Sequence, residues 1–181
     1  MSLSLALAAF SLVQAQAVSP APPVEPTRTV RETRSISFAL AAPPETTFPL
    51  FGPRDEHLWL PSWSPRFLFP TDGSQSAEGA VFLVPGAGDA PEETWIMTTY
   101  DKDRRIIEYA IVAPGYLAGE LHIAVEAAQG SRSSVSVRYR FTALSDAAGR
   151  FIAHWAQHFP QQGPHWSETI NRYLASQGFH E

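Results

Sequence analysis

The chain has 181 residues, 44% of them hydrophobic, enough for one domain with a proper buried core. A formal net charge of −5 and a pI near 5.7 argue against nucleic acid as a partner, since no basic face is available to displace counterions from phosphates. Cysteine is absent, which removes disulfides, thiolate catalysis and thiolate metal sites and leaves the redox compartment open.

Residues 1–17, MSLSLALAAFSLVQAQA, carry no charge and are rich in Leu and Ala. The apolar run from Leu3 to Val13 is too short to cross a bilayer, which takes about 20 residues, so no stable membrane span is expected. It suits the hydrophobic region of a secretory signal. Ala15-Gln16-Ala17 supplies the small-x-small cleavage pattern, although no Lys or Arg precedes the run. Export to the periplasm is the expectation, with a mature chain beginning near Val18. Residues 18–27, VSPAPPVEPT, hold four Pro and read as a polyproline-like linker, leaving 28–181 as the folded domain.

From Thr29 to Leu40 apolar residues alternate, with Ile36, Phe38 and Leu40 on one face of a half-buried first strand that ends at Pro43-Pro44. Next comes FPLFGPRDEHLWLPSWSPRFLFP, Phe48 to Pro70. It holds two of the five Trp, four of the eleven Phe and five of the sixteen Pro. The stretch is too apolar for a solvated loop and too interrupted for one long helix, so two short helices forming a lid or cavity wall are expected. Glu45-Thr46-Thr47 opens the first, which places Phe48 and Phe51 on one face before Gly52-Pro53 stops it. Arg54 to Leu60 allows a second turn or two before Pro61.

The middle of the chain reads as strand after strand: Phe67–Phe69, Ala80–Val84, Thr94–Tyr100, Ile106–Val112, Leu117–Ala127 and Ser134–Thr142. The last alternates without a break, with Val135, Val137, Tyr139 and Phe141 inward and Ser136, Arg138, Arg140 and Thr142 outward. Short turns between such strands make them antiparallel neighbours, with one wet face and one covered face. The cover comes last. Ser145 is a good N-cap, and Phe151, Ile152, Trp155 and Phe159 form an apolar stripe at helical spacing. Pro160 and Gly163-Pro164 interrupt it. A second helical segment puts Trp166, Ile170, Tyr173 and Leu174 on one face and reaches Gly178 as a C-cap.

Strand, two short helices, antiparallel strands and a long C-terminal helix make an α+β helix-grip arrangement: a curved antiparallel sheet wrapped around that helix. The segments Phe48–Pro70, AVFLV, ETWIMTTYDKDRRIIEY and VSVRYRFTALSDAAGRFI resemble a bacterial group of the START-like (SRPBCC, polyketide cyclase-like) superfamily, over about Arg28 to Leu174. The most specific parts are the spacing of Glu56, Trp59, Trp63 and Pro65 and the run YRFTAL from Tyr139 to Leu144. The resemblance implies a deep, mostly apolar cavity between sheet and long helix for a lipid-like or aromatic small molecule. It implies no fixed catalytic set and no cofactor. The export signal and the Pro160–Pro164 interruption depart from the family pattern.

Aromatic walls with a few polar groups are the usual make-up of small-molecule sites, and Trp59, Trp63, Phe82, Trp95, Met97, Tyr109, Tyr139 and Trp155 are the candidate ligand-binding set. Each could equally be plain core packing. Asp55, Glu56 and His57 lie together in the second short helix, where a carboxyl beside an apolar cavity or an imidazole near neutrality could move protons. The weak catalytic candidates are therefore Glu56 and His57, with Tyr109 as a further proton-transfer group. His154 and His158 are spaced i, i+4 with His165 following, but Trp155, Ala156 and Gln157 lie between them without the Glu of a zinc protease motif, and a solvated face is the better reading. No metal site is expected. Gly86-Ala87-Gly88 is a turn with no helix behind it to hold a phosphate, and Arg138 and Arg140 read as solvated strand charges. Three functions follow from these residues. The first is binding of a hydrophobic small molecule; the second is a cyclase- or dehydrase-type enzyme using Glu56 or His57; the third is a structural domain whose cavity is filled by its own side chains. Oligomeric state is left open.

Overall fold

The computed structural model describes residues 29–179, so the expected signal and linker lie outside the described residues. The chain begins with β1 (Arg31–Leu40). Pro44–Thr47 then forms the single-turn helix α1, which tightens into a 3-10 turn at Phe48–Phe51, and a second 3-10 turn follows at Glu56–Leu58. Six strands come next: β2 (Arg66–Phe69), β3 (Val81–Val84), β4 (Glu93–Asp101), β5 (Ile106–Ala113), β6 (Leu117–Ala128) and β7 (Arg132–Ala143). Helices α2 (Asp146–His158) and α3 (Gln162–Ser176) complete the fold.

The seven strands form one curved antiparallel sheet in the order β1-β7-β6-β5-β4-β3-β2. Five of the six pairings join strands adjacent in sequence, as short turns dictate; the sixth brings β1 back against β7, with Ile36 opposite Val137. The sheet has a covered face bearing Met97, Ile107, Ile111, Leu121, Val125 and Val135, each at most 4% exposed. In β6 a glycine takes one of these inward places. Gly119 stands opposite Phe141, whose ring lies across it.

Two layers cover that face, and they divide it. Helices α2 and α3 pack on β1 and β7, with Gly149 against Val30 and Gly163 against Ile36. Two hydrogen bonds fix α3 to the end of β1: Ala41 N–H donates to Asn171 Oδ1 at 2.8 Å, and Ser167 Oγ donates to Ala39 O at 2.9 Å. The other half of the sheet is roofed by the segment from Phe48 to Trp63. Phe48 lies 5.1 Å from the Tyr100 ring, and Trp63 stands edge-on to Phe82 and Trp95 at 6.1 and 5.7 Å.

The interruption expected at Pro160 divides the C-terminal cover into two helices linked by the 3-10 turn Phe159–Gln161. Proline has no N–H to return to the carbonyl of Ala156, so the helical ladder cannot continue through it. That carbonyl is taken by Arg34 Nε of β1 at 3.1 Å, which ties the break to the sheet. The ends follow the sequence signals. Ser145 Oγ accepts from Ala148 N–H at 3.2 Å, and Gly178 at φ +93° lets Phe179 N–H return to Leu174 O at 3.0 Å.

Candidate functional site

The roof is held down by its own indoles. Trp59, 3% exposed, donates Nε1–H to Leu50 O at 2.7 Å, and Trp63 donates to Pro53 O at the same distance. The first bond joins the end of the second short turn to the first turn, and the other joins the chain beyond it to the link between the turns, so the segment folds back on itself with its rings downward. Trp59 meets Phe51 at 6.0 Å and Trp166 of α3 at 5.8 Å, and thereby bridges the two covers. Beneath them Trp95, Phe82 and Tyr109 form a cluster on the sheet with centroids 5.4–5.9 Å apart. Edge-on and tilted contacts of this kind suit the ring quadrupoles and fix the rings against one another.

Where roof, α3 and sheet meet there is a niche walled by Trp59, Phe51, Trp166, Trp95 and Tyr139 over Leu121, Ile123 and Val137, and the Glu56 carboxyl enters it. Its free volume is about 10 Å³, room for about one water and far below the roughly 300 Å³ of a drug-sized pocket. The deep open cavity implied by the family resemblance is therefore corrected at this place: rings from five elements fill it.

Glu56 is the chemically distinctive member. Its 3-10 turn leaves it half-buried with the side chain inward, and its carboxyl has no hydrogen-bond or ion-pair partner among the described residues. Burial among the rings pushes its pKa up to about 8, so near neutrality the acid form predominates. Nearby acids feel the same surroundings. Tyr139 is raised by burial, then by Glu56 and Glu93. Glu93 is raised by burial, opposed by the 2.8 Å hydrogen bond it accepts from Trp95 Nε1. Tyr109 is raised by burial and then by Glu56, and its hydroxyl is committed to Phe51 O at 3.1 Å. Asp55 contributes at one further remove, raising Tyr100 after burial has done so.

The remaining candidates fall elsewhere. His57 is exposed and donates Nδ1–H to Arg54 O at 2.6 Å, turned away from the niche that its neighbour enters. Of the eight aromatic and Met candidates, Trp59, Trp95 and Tyr139 line the niche. Trp63 and Phe82 pack beside Trp95; Met97 and Tyr109 are buried in the sheet layer; Trp155 stands edge-on to Tyr139 and Phe141 and tilted against Phe159. Phe51 and Trp166 complete the wall. Both stood on the apolar faces of their segments, but nothing local distinguished them from other core rings. His154 and His158 are exposed, with His158 donating Nδ1–H to His154 O at 2.9 Å, and His165 is exposed too. Among the described residues no three His, Asp or Glu side chains gather as a metal-binding group.

The outer face of the sheet bears a polar groove of about 370 Å³ beside the β4 bulge at Thr98. Arg140 pairs with Glu120 at 2.8 Å, and Glu108 accepts from His122 and Thr99, each at 2.9 Å, which lowers its pKa. Arg138 projects beside them into solvent. These are the outward strand charges of the sequence, mostly satisfied by one another. No described helix is long and apolar enough to cross a membrane.

No family model and no curated protein matches the chain. Solved structures do. Norcoclaurine synthase from Thalictrum flavum, solved with dopamine and hydroxybenzaldehyde, superposes with a TM-score of 0.61 at 12% identity, over 90% of this chain and 97% of its own. Ara h 8.0201 gives 0.58 at 19% identity, over 81% and 99%. A solution structure from Thermobifida fusca gives 0.55 at 18%, over 84% and 97%. The chain shares the helix-grip fold of these structures.

Proposed function

We propose that the chain binds a small apolar or aromatic molecule beneath the Phe48–Trp63 roof, with Glu56 as the polar group that orients it. The observation behind this reading is the Glu56 carboxyl itself. Aromatic surroundings disfavour the ionised form of a half-buried acid, and a domain whose interior served packing alone gains nothing by placing one there. The filled niche means that a ligand enters by displacing rings. Tyr139 and Trp166, both half-buried, are the walls nearest solvent. The helix-grip neighbours support the class of function, since norcoclaurine synthase was solved with two small aromatic molecules. Native mass spectrometry of the chain purified from its own host tests the reading. A co-purifying organic molecule, lost on substitution of Trp59 by Ala, is expected; a bare chain whose tryptophan fluorescence no aromatic probe perturbs overturns it.

The same carboxyl sustains a second reading, proton-transfer catalysis of the cyclase or dehydrase type. A pKa about 8 lets Glu56 both give and take a proton near neutrality, which a general acid–base must do. In that reading Glu56 acts without His57, which faces solvent, and without Tyr109, whose hydroxyl is already engaged. Turnover that falls at least about a hundredfold in Glu56→Gln, with ligand binding retained, would place the chain among enzymes.

A further inference from the structure

The charge around the niche has one sign. Glu56 enters it, Glu93 is bonded to the indole of the wall residue Trp95, and Asp55 of the roof acts on Tyr100. The remaining titratable groups facing Glu56 are the phenols of Tyr109 and Tyr139, which are acids too. Among the described residues no Arg, Lys or His lines the niche. The cations closest in sequence are engaged outside it: Arg54 on Gly73 O, His57 on Arg54 O, and Arg66 on Glu92 at 3.3 Å. Around the single carboxyl stand the rings of Phe51, Trp59, Trp95, Tyr139 and Trp166.

We propose that the molecule held here is cationic: an amine bound as its ammonium ion, set against the Glu56 carboxylate with indole and phenol faces around it. This rests on the binding reading above and narrows it to a ligand class. Ring faces attract cations electrostatically, most strongly where water is excluded, and Trp is the best of them. A fatty acid or other carboxylate would instead bring a like charge beside Glu56 and Glu93 with no cation to offset it. A neutral apolar molecule would leave the carboxyl unpartnered, as it is without ligand. An ammonium satisfies the ionised acid and the rings together. Its arrival stabilises the ionised carboxyl, so Glu56 loses its proton to solvent as the complex forms.

Three probes of matched shape test this by titration calorimetry on the full chain near pH 7: 2-phenylethylamine, 2-phenylethanol and phenylacetate, each in two buffers of different ionisation enthalpy. The amine is expected to bind about tenfold more tightly than the alcohol and to release about one proton, with phenylacetate not detected. In Glu56→Gln the preference and the proton release should both vanish while the alcohol still binds. If the alcohol or phenylacetate binds as tightly as the amine, or the amine binds without releasing a proton, the cationic class is wrong and the binding reading stands. If no probe binds, both fail.

Discussion

Glu56 shows what one side chain's placement does to the whole stability profile. Its carboxyl has an ordinary value of 4.5 and is raised to about 8 in the fold by burial. Below the lower value both states hold the proton and the group is neutral in the balance. Between the two, the unfolded chain releases a proton that the folded chain keeps, so stability falls as pH rises, and it levels off above the upper value. Glu56→Gln keeps the shape and removes the titration. The variant should match the parent near pH 4 and exceed it near pH 9 by on the order of a few kcal/mol, less whatever water reaches the half-buried group. Urea unfolding across that range measures it, and parallel profiles would mean that the carboxyl is solvated. A second residue-scale constraint sits in β6. A Cβ added to Gly119 would lie 2.4 Å from Phe141 Cδ1 and 3.0 Å from Arg140 O, and a fully packed ring with backbone behind it has little room to give. Gly119→Ala should cost about 1–3 kcal/mol in the same assay. Combining it with Phe141→Leu should cost less than the two changes summed, because the leucine leaves space for the methyl.

The element that matters most is the roof. Its two 3-10 turns are too short to be stable alone, so their place is set by what they touch. Two indole N–H groups do the fixing, one bonded to Leu50 O of the first turn and the other to Pro53 O just after it, each at 2.7 Å. Trp63→Phe preserves the apolar ring and deletes one donor, leaving Pro53 O without that partner. A loss of about 0.5–1.5 kcal/mol is expected, concentrated in the segment rather than spread over the sheet. Amide exchange should rise across residues 50–63 while β5, β6 and β7 keep their protection. Equal loosening of sheet and roof would show that the roof does not open separately. The break between α2 and α3 follows the same logic. Pro160 forces the interruption, and Arg34 from the first strand satisfies the carbonyl it strands.

At the scale of the molecule, β1 closes on β7, and the chain between their sequence positions forms the roof and the five other strands. This pairing puts α2 and α3 over one half of the sheet and leaves the other half to the aromatic segment. The niche exists only at the seam between the two covers. Export belongs to this scale too. We propose cleavage after Ala17, and N-terminal sequencing of the chain from its host should begin near Val18. A chain still starting at Met1 would refute it. Much of the architecture could be read from local periodicity. Alternation named the inward residues of β7 because a strand's faces follow from a period of two, whatever it pairs with. Ser145, Pro160 and Gly178 marked the helix ends because each acts on its own backbone. The Phe48–Pro70 stretch declared itself a cover by its apolar, broken composition. What no local pattern held is the interior at the seam. The direction of Glu56 depends on where Trp59 and Trp63 anchor their turn, and the adjacent His57 points the other way. The free volume is a sum over rings brought from five elements. Five separate segments, each apolar for its own reasons, had to meet before the acid between them had an environment at all.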